Sequence, residues 1–139
     1  MVLTGVTAGA VLALCAWIRR ALEAGKGGGA LLGGRVRVRK LYNHGSGFGL
    51  LPLDARAMAP LSLTALWALL RTGGSGLGTG LVLGGGLSNL WERLRRGRVL
   101  DYLQFPRAPG VFQRYTYNLA DLAILAGAVL LVLRRRKRP

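Results

Sequence analysis

The amino-acid sequence predicts an all-α membrane protein with four transmembrane helices, and three observations carry that expectation. The 139-residue chain is 51% hydrophobic although it bears 20 basic against 5 acidic side chains, a net charge of +15. Basic disordered tails are poor in hydrophobic residues, so the composition excludes that class. Two long apolar runs, Val2–Ile18 and Tyr117–Leu133, are each closed by arginines, and a bilayer core requires about 17–25 such residues. Between them lie two weaker candidates, Ala57–Leu70 and the glycine-rich Gly73–Leu90. The helices are expected at about 2–18, 57–71, 74–92 and 117–133, in one integral-membrane domain over 1–139.

The first run has no positive charge ahead of it; Arg19 and Arg20 follow it. A secretory signal peptide has the reverse order, so the segment reads as a retained anchor. The second run is entered through Pro60 and is short for a span. In the third, Gly76, Gly80 and Gly84 recur at four-residue spacing, a pattern that lets helix backbones approach in a membrane; the bland alternative is a flexible loop. The fourth ends in Arg134-Arg135-Arg136-Lys137-Arg138-Pro139.

Charge leaves the orientation open. Lys and Arg concentrate on the cytoplasmic side, which places the C-terminal tail there. Arg19-Arg20 would place the end of the first helix there too, and an even number of spans forbids both. With both ends inside, the outer loops, Arg19–Arg56 and Arg93–Arg114, hold most of the basic residues. Three spans would satisfy the rule better.

One cysteine excludes a disulfide framework, and one histidine beside it excludes an ordinary zinc site and a zinc-protease motif. No metal or cofactor is expected. Cys15 reads as a packed helix residue and His44 as a hydrogen-bonding loop residue. Among the five acids, Glu23 and Asp54 are expected to be solvated, and Glu92 to pair with Arg93, Arg95 or Arg96. Asp121 lies inside the last apolar run with Asn118 one turn earlier; an ionisable group in a span costs about 2.5–3.5 kcal/mol, which marks it as a functional candidate. The bland alternative is a carboxylate paired with arginine to hold helices together. Asp101 belongs to a strand-like segment, Val99 to Phe105, that leads from the third helix towards the fourth. It is placed at the membrane surface at nearly the depth of Asp121.

Two carboxylates meeting at a low-dielectric surface cannot both ionise cheaply. The charged one can take a proton from water while the protonated one polarises a peptide carbonyl, which is aspartic-protease chemistry.

Gly84-Gly85-Gly86-Leu87-Ser88-Asn89-Leu90-Trp91-Glu92-Arg93, Gly97-Arg98-Val99-Leu100-Asp101-Tyr102 and Tyr117-Asn118-Leu119-Ala120-Asp121 together resemble signal peptidase II, the bacterial lipoprotein signal peptidase. Val36–Gly45 followed by Phe48 is similar to that family's Asn-x-Gly segment. The resemblance implies Asp101 and Asp121 as the catalytic pair, and Asn43, Gly45, Asn89, Arg93 and Asn118 as substrate-binding residues. It implies four membrane helices, both termini cytoplasmic, and a small extracytoplasmic β-cradle, here about 30–52 and 98–115. The implied protein is a multi-pass monomer of the bacterial inner membrane. It would remove signal peptides from diacylglyceryl prolipoproteins, cleaving before the lipid-modified cysteine, with membrane phospholipids as further partners.

One departure stands out. The family usually carries aspartate and, four residues later, lysine near the end of the first helix; here those places hold Cys15 and Arg19. The loop Pro106–Arg114 also looks compressed. The alternatives are a catalytically degenerate scaffold of the same fold, and a basic membrane protein binding anionic lipid through Arg35, Arg37 and Arg39. Nucleic acid ranks last, because no base-reading aromatic cluster accompanies the arginines.

Overall fold

The computed structural model describes residues 1–45, 57–72 and 74–136; Phe48, Asp54 and Arg56 lie outside them. Helix α1 spans Val2–Glu23. Strand β1, Gly29–Leu31, and β2, Val36–Asn43, form a hairpin through a 3-10 turn at Leu32–Gly34. Helix α2 is Ala59–Thr72 and α3 is Leu77–Arg96. Gly97 ends α3 in the left-handed conformation, φ 66°, the usual glycine stop that turns the chain out of a helix. Strand β3, Val99–Gln104, a single turn α4, Val111–Arg114, and α5, Leu119–Arg136, complete the described chain.

The three strands form an antiparallel sheet in the order β1-β2-β3. Ala30 stands opposite Arg37, Arg37 opposite Gln104, and, past an irregularity between Val38 and Leu41, Leu41 opposite Asp101. That register sets the end of β2, with Asn43, beside the start of β3. Beneath the sheet Leu22, Leu100 and Tyr102 form a small core, joined by Ile18, Val38 and Leu103.

Helix α3 is the hub, and its glycines explain why. A side-chain carbon at Gly80 would stand 2.6 Å from Thr7 Cβ, and one at Gly84 would stand 2.7 Å from Val11 Cβ. On another face, a carbon at Gly85 would meet the Ala120 carbonyl oxygen at 2.5 Å; on a third, one at Gly86 would meet Leu66 Cδ2 at 2.7 Å. Only hydrogen fits at such separations, so α1, α5 and α2 reach the α3 backbone through glycine, as small-residue packing predicts. Gly76, the first of the expected four-residue series, instead precedes α3, and its N–H donates to Thr4 Oγ1 at 2.8 Å.

Contacts from Thr4 with Gly76 to Arg19 with Glu92 run in the same sense, so α1 and α3 are parallel. Gly127 against Gly78, and Asp121 against Asn89, make α5 antiparallel to α3. The start of α1 and the end of α5 therefore share one end of the bundle, where Arg134 donates to the Ser75 carbonyl. The sheet and the described acidic residues, Glu23, Glu92, Asp101 and Asp121, occupy the other.

Many large apolar side chains face outward, among them Val2, Val6, Leu63, Trp67, Leu70, Val129 and Val132. Such a surface exceeds the few scattered apolar residues of a soluble monomer. Among the described residues, however, one helix, α1, is long and apolar enough to cross a membrane by length and composition. Helix α2 has 14 residues, α3 carries Glu92, Arg93, Arg95 and Arg96, and α5 carries Asp121 and three arginines.

Two helix boundaries differ from the sequence expectation for identifiable reasons. α1 continues past Ile18 because Arg19 is buried against α3 rather than solvated. α5 begins at Leu119 rather than Tyr117 because Tyr117 pairs with Leu103 as an isolated β-bridge. Asp121 therefore lies in the first helical turn.

Candidate active site

Asp101 is held by β3 and is 6% exposed. Asp121 is the third residue of α5, and Asn118 stands where that helix is capped. The two exchange hydrogen bonds: Asp121 N–H donates to Asn118 Oδ1 at 2.9 Å, and Asn118 N–H donates to Asp121 Oδ2 at 3.0 Å. This is a capping box, the reciprocal satisfaction of two otherwise orphan amides at a helix start. The aspartate is thus fixed by the same bonds that start the helix.

Asn118 also reaches the other aspartate. Its Nδ2 donates to Asp101 Oδ1 at 3.0 Å and to Asn89 Oδ1 at 3.1 Å, while Asn89 Nδ2 donates to Asp121 Oδ1 at 3.0 Å. From β2, Asn43 Nδ2 approaches Asp101 Oδ2 at 3.5 Å, a long contact, and Asn43 Oδ1 accepts the Gly45 N–H at 3.0 Å. The amides leave each carboxylate oriented. Tyr102, the residue after Asp101, accepts the Leu119 N–H at its hydroxyl at 3.0 Å, tying β3 to the first turn of α5. Burial pushes that phenol up to about 12, so it stays neutral.

Burial pushes the Asp101 carboxyl up to about 7; the neighbouring Asp121 charge adds to the rise, and the hydrogen bonds from Asn43 and Asn118 oppose it. A carboxyl in that range exchanges its proton near neutrality, as acid–base work requires.

A cavity of about 600 Å³ opens beside the pair, with Asn43, Asn89, Arg93, Asp101 and Asp121 in its wall. Its remainder is largely apolar, with Met58, Leu66, Val82 and Ile124 among the lining. Arg93 Nε is buried and has no hydrogen-bond partner among the described residues. A second, apolar cavity of about 510 Å³ lies along α5 between Phe112 and Leu125, and Asp121 borders it too.

Of the residues singled out in the sequence, Asp101, Asp121, Asn43, Asn89, Arg93 and Asn118 converge here. Gly45 acts one step removed, through its bond to Asn43. His44 is in the cavity wall and exposed. Among the described residues no cluster of His, Cys, Asp and Glu is fit to hold a metal ion.

Two expectations are corrected. Glu92 pairs not with its neighbouring arginines but with Arg19 of α1, at 3.0 Å, while Arg96, one turn further along the helix, pairs with Glu23. Glu23 is not a free surface charge, since Arg96 pairs with it. The structural parts of Glu92, Arg19 and Tyr102 went unread in the sequence. The helical spacing of Gly85, Ser88, Asn89 and Glu92 was the available signal, because it places Glu92 on the buried face.

A helical bundle capped by a small sheet thus sets an asparagine-bound carboxylate pair beside a largely apolar cavity. The fold is similar to two solved structures, each a bacterial membrane enzyme. One gives a TM-score of 0.82 at 17% identity, covering 96% of this chain and 87% of that one; the other gives 0.80 at 18%, covering 98% and 94%. A family model described as Signal peptidase (SPase) II matches residues 3–135. A lipoprotein signal peptidase of Halothermothrix orenii is 40% identical over 100 residues, 67% of this chain and 65% of that protein. One of Pelotomaculum thermopropionicum is 37% identical over 99 residues, 66% and 61%, and one of Nitrobacter hamburgensis is 32% identical over 117 residues, 71% of each. The chain belongs to the signal peptidase II family, a family of membrane proteases. The match spans less than two thirds of the length of the first two relatives.

Proposed function

We propose that this chain is a lipoprotein signal peptidase acting as an aspartic endopeptidase: it removes the signal peptide of diacylglyceryl-modified prolipoproteins, cutting before the lipid-modified cysteine. The observation that carries the reading is the convergence of Asp101 and Asp121 on one asparagine, Asn118, in the wall of a largely apolar cavity.

The pair holds one proton between its two carboxyls. The ionised member takes a proton from water as its oxygen attacks the scissile carbonyl carbon. The protonated member donates to the carbonyl oxygen as the tetrahedral intermediate forms. Collapse breaks the C–N bond: the proton gained from water passes to the departing amine, and a hydroxyl proton of the intermediate returns to the other carboxylate, restoring the shared proton. Arg93, whose Nε has no hydrogen-bond partner among the described residues, is the donor for a substrate backbone carbonyl, and Asn43 and Asn89 position the carboxylates and the peptide. Two apolar cavities meeting at Asp121 suit a substrate with an apolar signal helix on one side of the cut and acyl chains on the other.

Four helices α1, α2, α3 and α5 cross the inner membrane of a bacterium, with both chain ends in the cytoplasm and the sheet outside. Exposed Trp17 and Trp91 near the sheet end support this seating, since tryptophan gathers at membrane interfaces. Arg35, Arg37 and Arg39 are exposed on the hairpin and contact phospholipid phosphates. The enzyme works as a monomer and binds no nucleic acid.

The test is cleavage by the purified protein of one prolipoprotein with and without diacylglycerol on its cysteine. Cleavage before the modified cysteine alone is expected. Equal cleavage of both forms, or a cut elsewhere, would contradict the proposal.

A further inference from the structure

Glu92 follows Asn89 by one turn on the buried face of α3 and is 4% exposed. Both of its carboxylate oxygens are engaged. Oε1 accepts from Arg19 Nη1 at 3.0 Å, and Oε2 accepts the Leu100 N–H at 2.9 Å. Arg19 is itself buried, with its guanidinium 4.8 Å from the centre of the Trp91 ring. Cys15 offers Arg19 no carboxylate one turn back on its own helix, so the cation is committed to Glu92 across the interface. One carboxylate thus joins the sheet end of α1, the body of α3 and the start of β3.

Leu100 immediately precedes Asp101 and is 1% exposed. Because the peptide unit is planar, fixing the Leu100 N–H fixes the unit from the Val99 Cα to the Leu100 Cα, and so anchors the strand one residue before Asp101. Net stability is a poor explanation for the pair: a buried ion pair replaced by apolar groups of similar size often leaves a protein equally stable. The position of the Leu100 amide is the feature only this arrangement supplies.

We infer that Glu92 is a positioning residue for Asp101. Its Oε2 pins the Leu100 amide, Arg19 holds the carboxylate in place, and Asp101 is thereby kept within reach of Asn118 and Asp121. The inference rests on the reading of Asp101 as catalytic.

Two double variants isolate the Leu100 bond without leaving a buried charge unpaired. Arg19→Met/Glu92→Leu removes the acceptor. Arg19→Met/Glu92→Gln keeps a carbonyl oxygen for the Leu100 amide. The measurements are kcat and KM on a diacylglyceryl prolipoprotein, thermal unfolding in the same detergent, and hydrogen exchange at the Leu100 and Asp101 amides. The first variant is expected to lose about 10–100-fold in kcat, the scale of a small misplacement of a reacting group, with KM unchanged and faster exchange at Leu100. The second is expected to recover most of both losses. Wild-type kcat and exchange in the first variant would overturn the inference. So would equal losses in both, or losses that merely follow the unfolded fraction. Exchange is read without turnover, so it decides the positioning even if the wild type fails to cleave; that failure, or full activity in Asp101→Asn, would instead sink the catalytic reading.

Discussion

Asn118 and Asp121 hold each other through paired side-chain-to-backbone bonds of 2.9 and 3.0 Å, and the same Asn118 amide reaches Asp101 at 3.0 Å. One asparagine therefore starts a helix, fixes one carboxylate and orients the other. The two tasks separate chemically. Serine caps helices about as well as asparagine, but it has no Nδ2 to give Asp101 and Asn89. Asn118→Ser is expected to leave the unfolding temperature close to wild type while kcat falls about 10–100-fold. Asn118→Ala is expected to lose about 1 kcal/mol of stability as well. Thermal unfolding and turnover on the same samples check both.

Close packing at the α3 glycines gives a stability prediction. A methyl at Gly84 would press on both Val11 Cβ and the Ala8 carbonyl oxygen, at 2.7 and 2.8 Å, whereas one at Gly5 would meet nothing within 4 Å. Gly84→Ala is expected to destabilise by about 1–3 kcal/mol through overpacking. Gly5→Ala is expected to be neutral or slightly stabilising, since alanine is the better helix former. Denaturation in a single detergent compares them.

Burial pushes the Asp101 carboxyl from its ordinary 3.8 up to about 7 in the folded protein. The folded state thus binds its proton more tightly than the unfolded chain does. That contribution to stability is fully present below pH about 4 and is lost as pH rises through about 7. Wild type is expected to lose stability across that window while Asp101→Asn stays flatter. Activity is expected to decline above pH about 7, as the pair loses the proton it shares. A pH series of unfolding and of kcat measures the two.

The hairpin arginines carry a membrane prediction. Neutralising Arg35, Arg37 and Arg39 together is expected to weaken processing more in anionic bilayers than in neutral detergent, because only the former offers phosphate partners. Equal effects in both media would contradict a lipid contact.

The four long helices and both aspartates were legible in the sequence because apolar runs and the Asn-x-x-Asp spacing are local signals. The strand at Val99 was legible for the same reason, through its alternation. What escaped was non-local. The partner of Glu92 is Arg19, far away in the chain and brought close by the parallel packing of α1 on α3. The late start of α5 follows from Tyr117 pairing with Leu103, which no helix pattern discloses. Composition alone marks one described helix, α1, as able to cross a membrane, because Glu92, Asp121 and the arginines interrupt the apolarity of α3 and α5.

Replacing one carboxylate of the pair at a time tests the central claim most directly. Asp101→Asn and Asp121→Asn preserve size and hydrogen bonding but cannot share a proton as the acids do. With the purified proteins in detergent and a diacylglyceryl prolipoprotein as substrate, mass spectrometry of the products should show cleavage before the modified cysteine by wild type. Neither variant should give product above the uncatalysed level. Processing at the wild-type rate by either folded variant would contradict aspartic catalysis at this site.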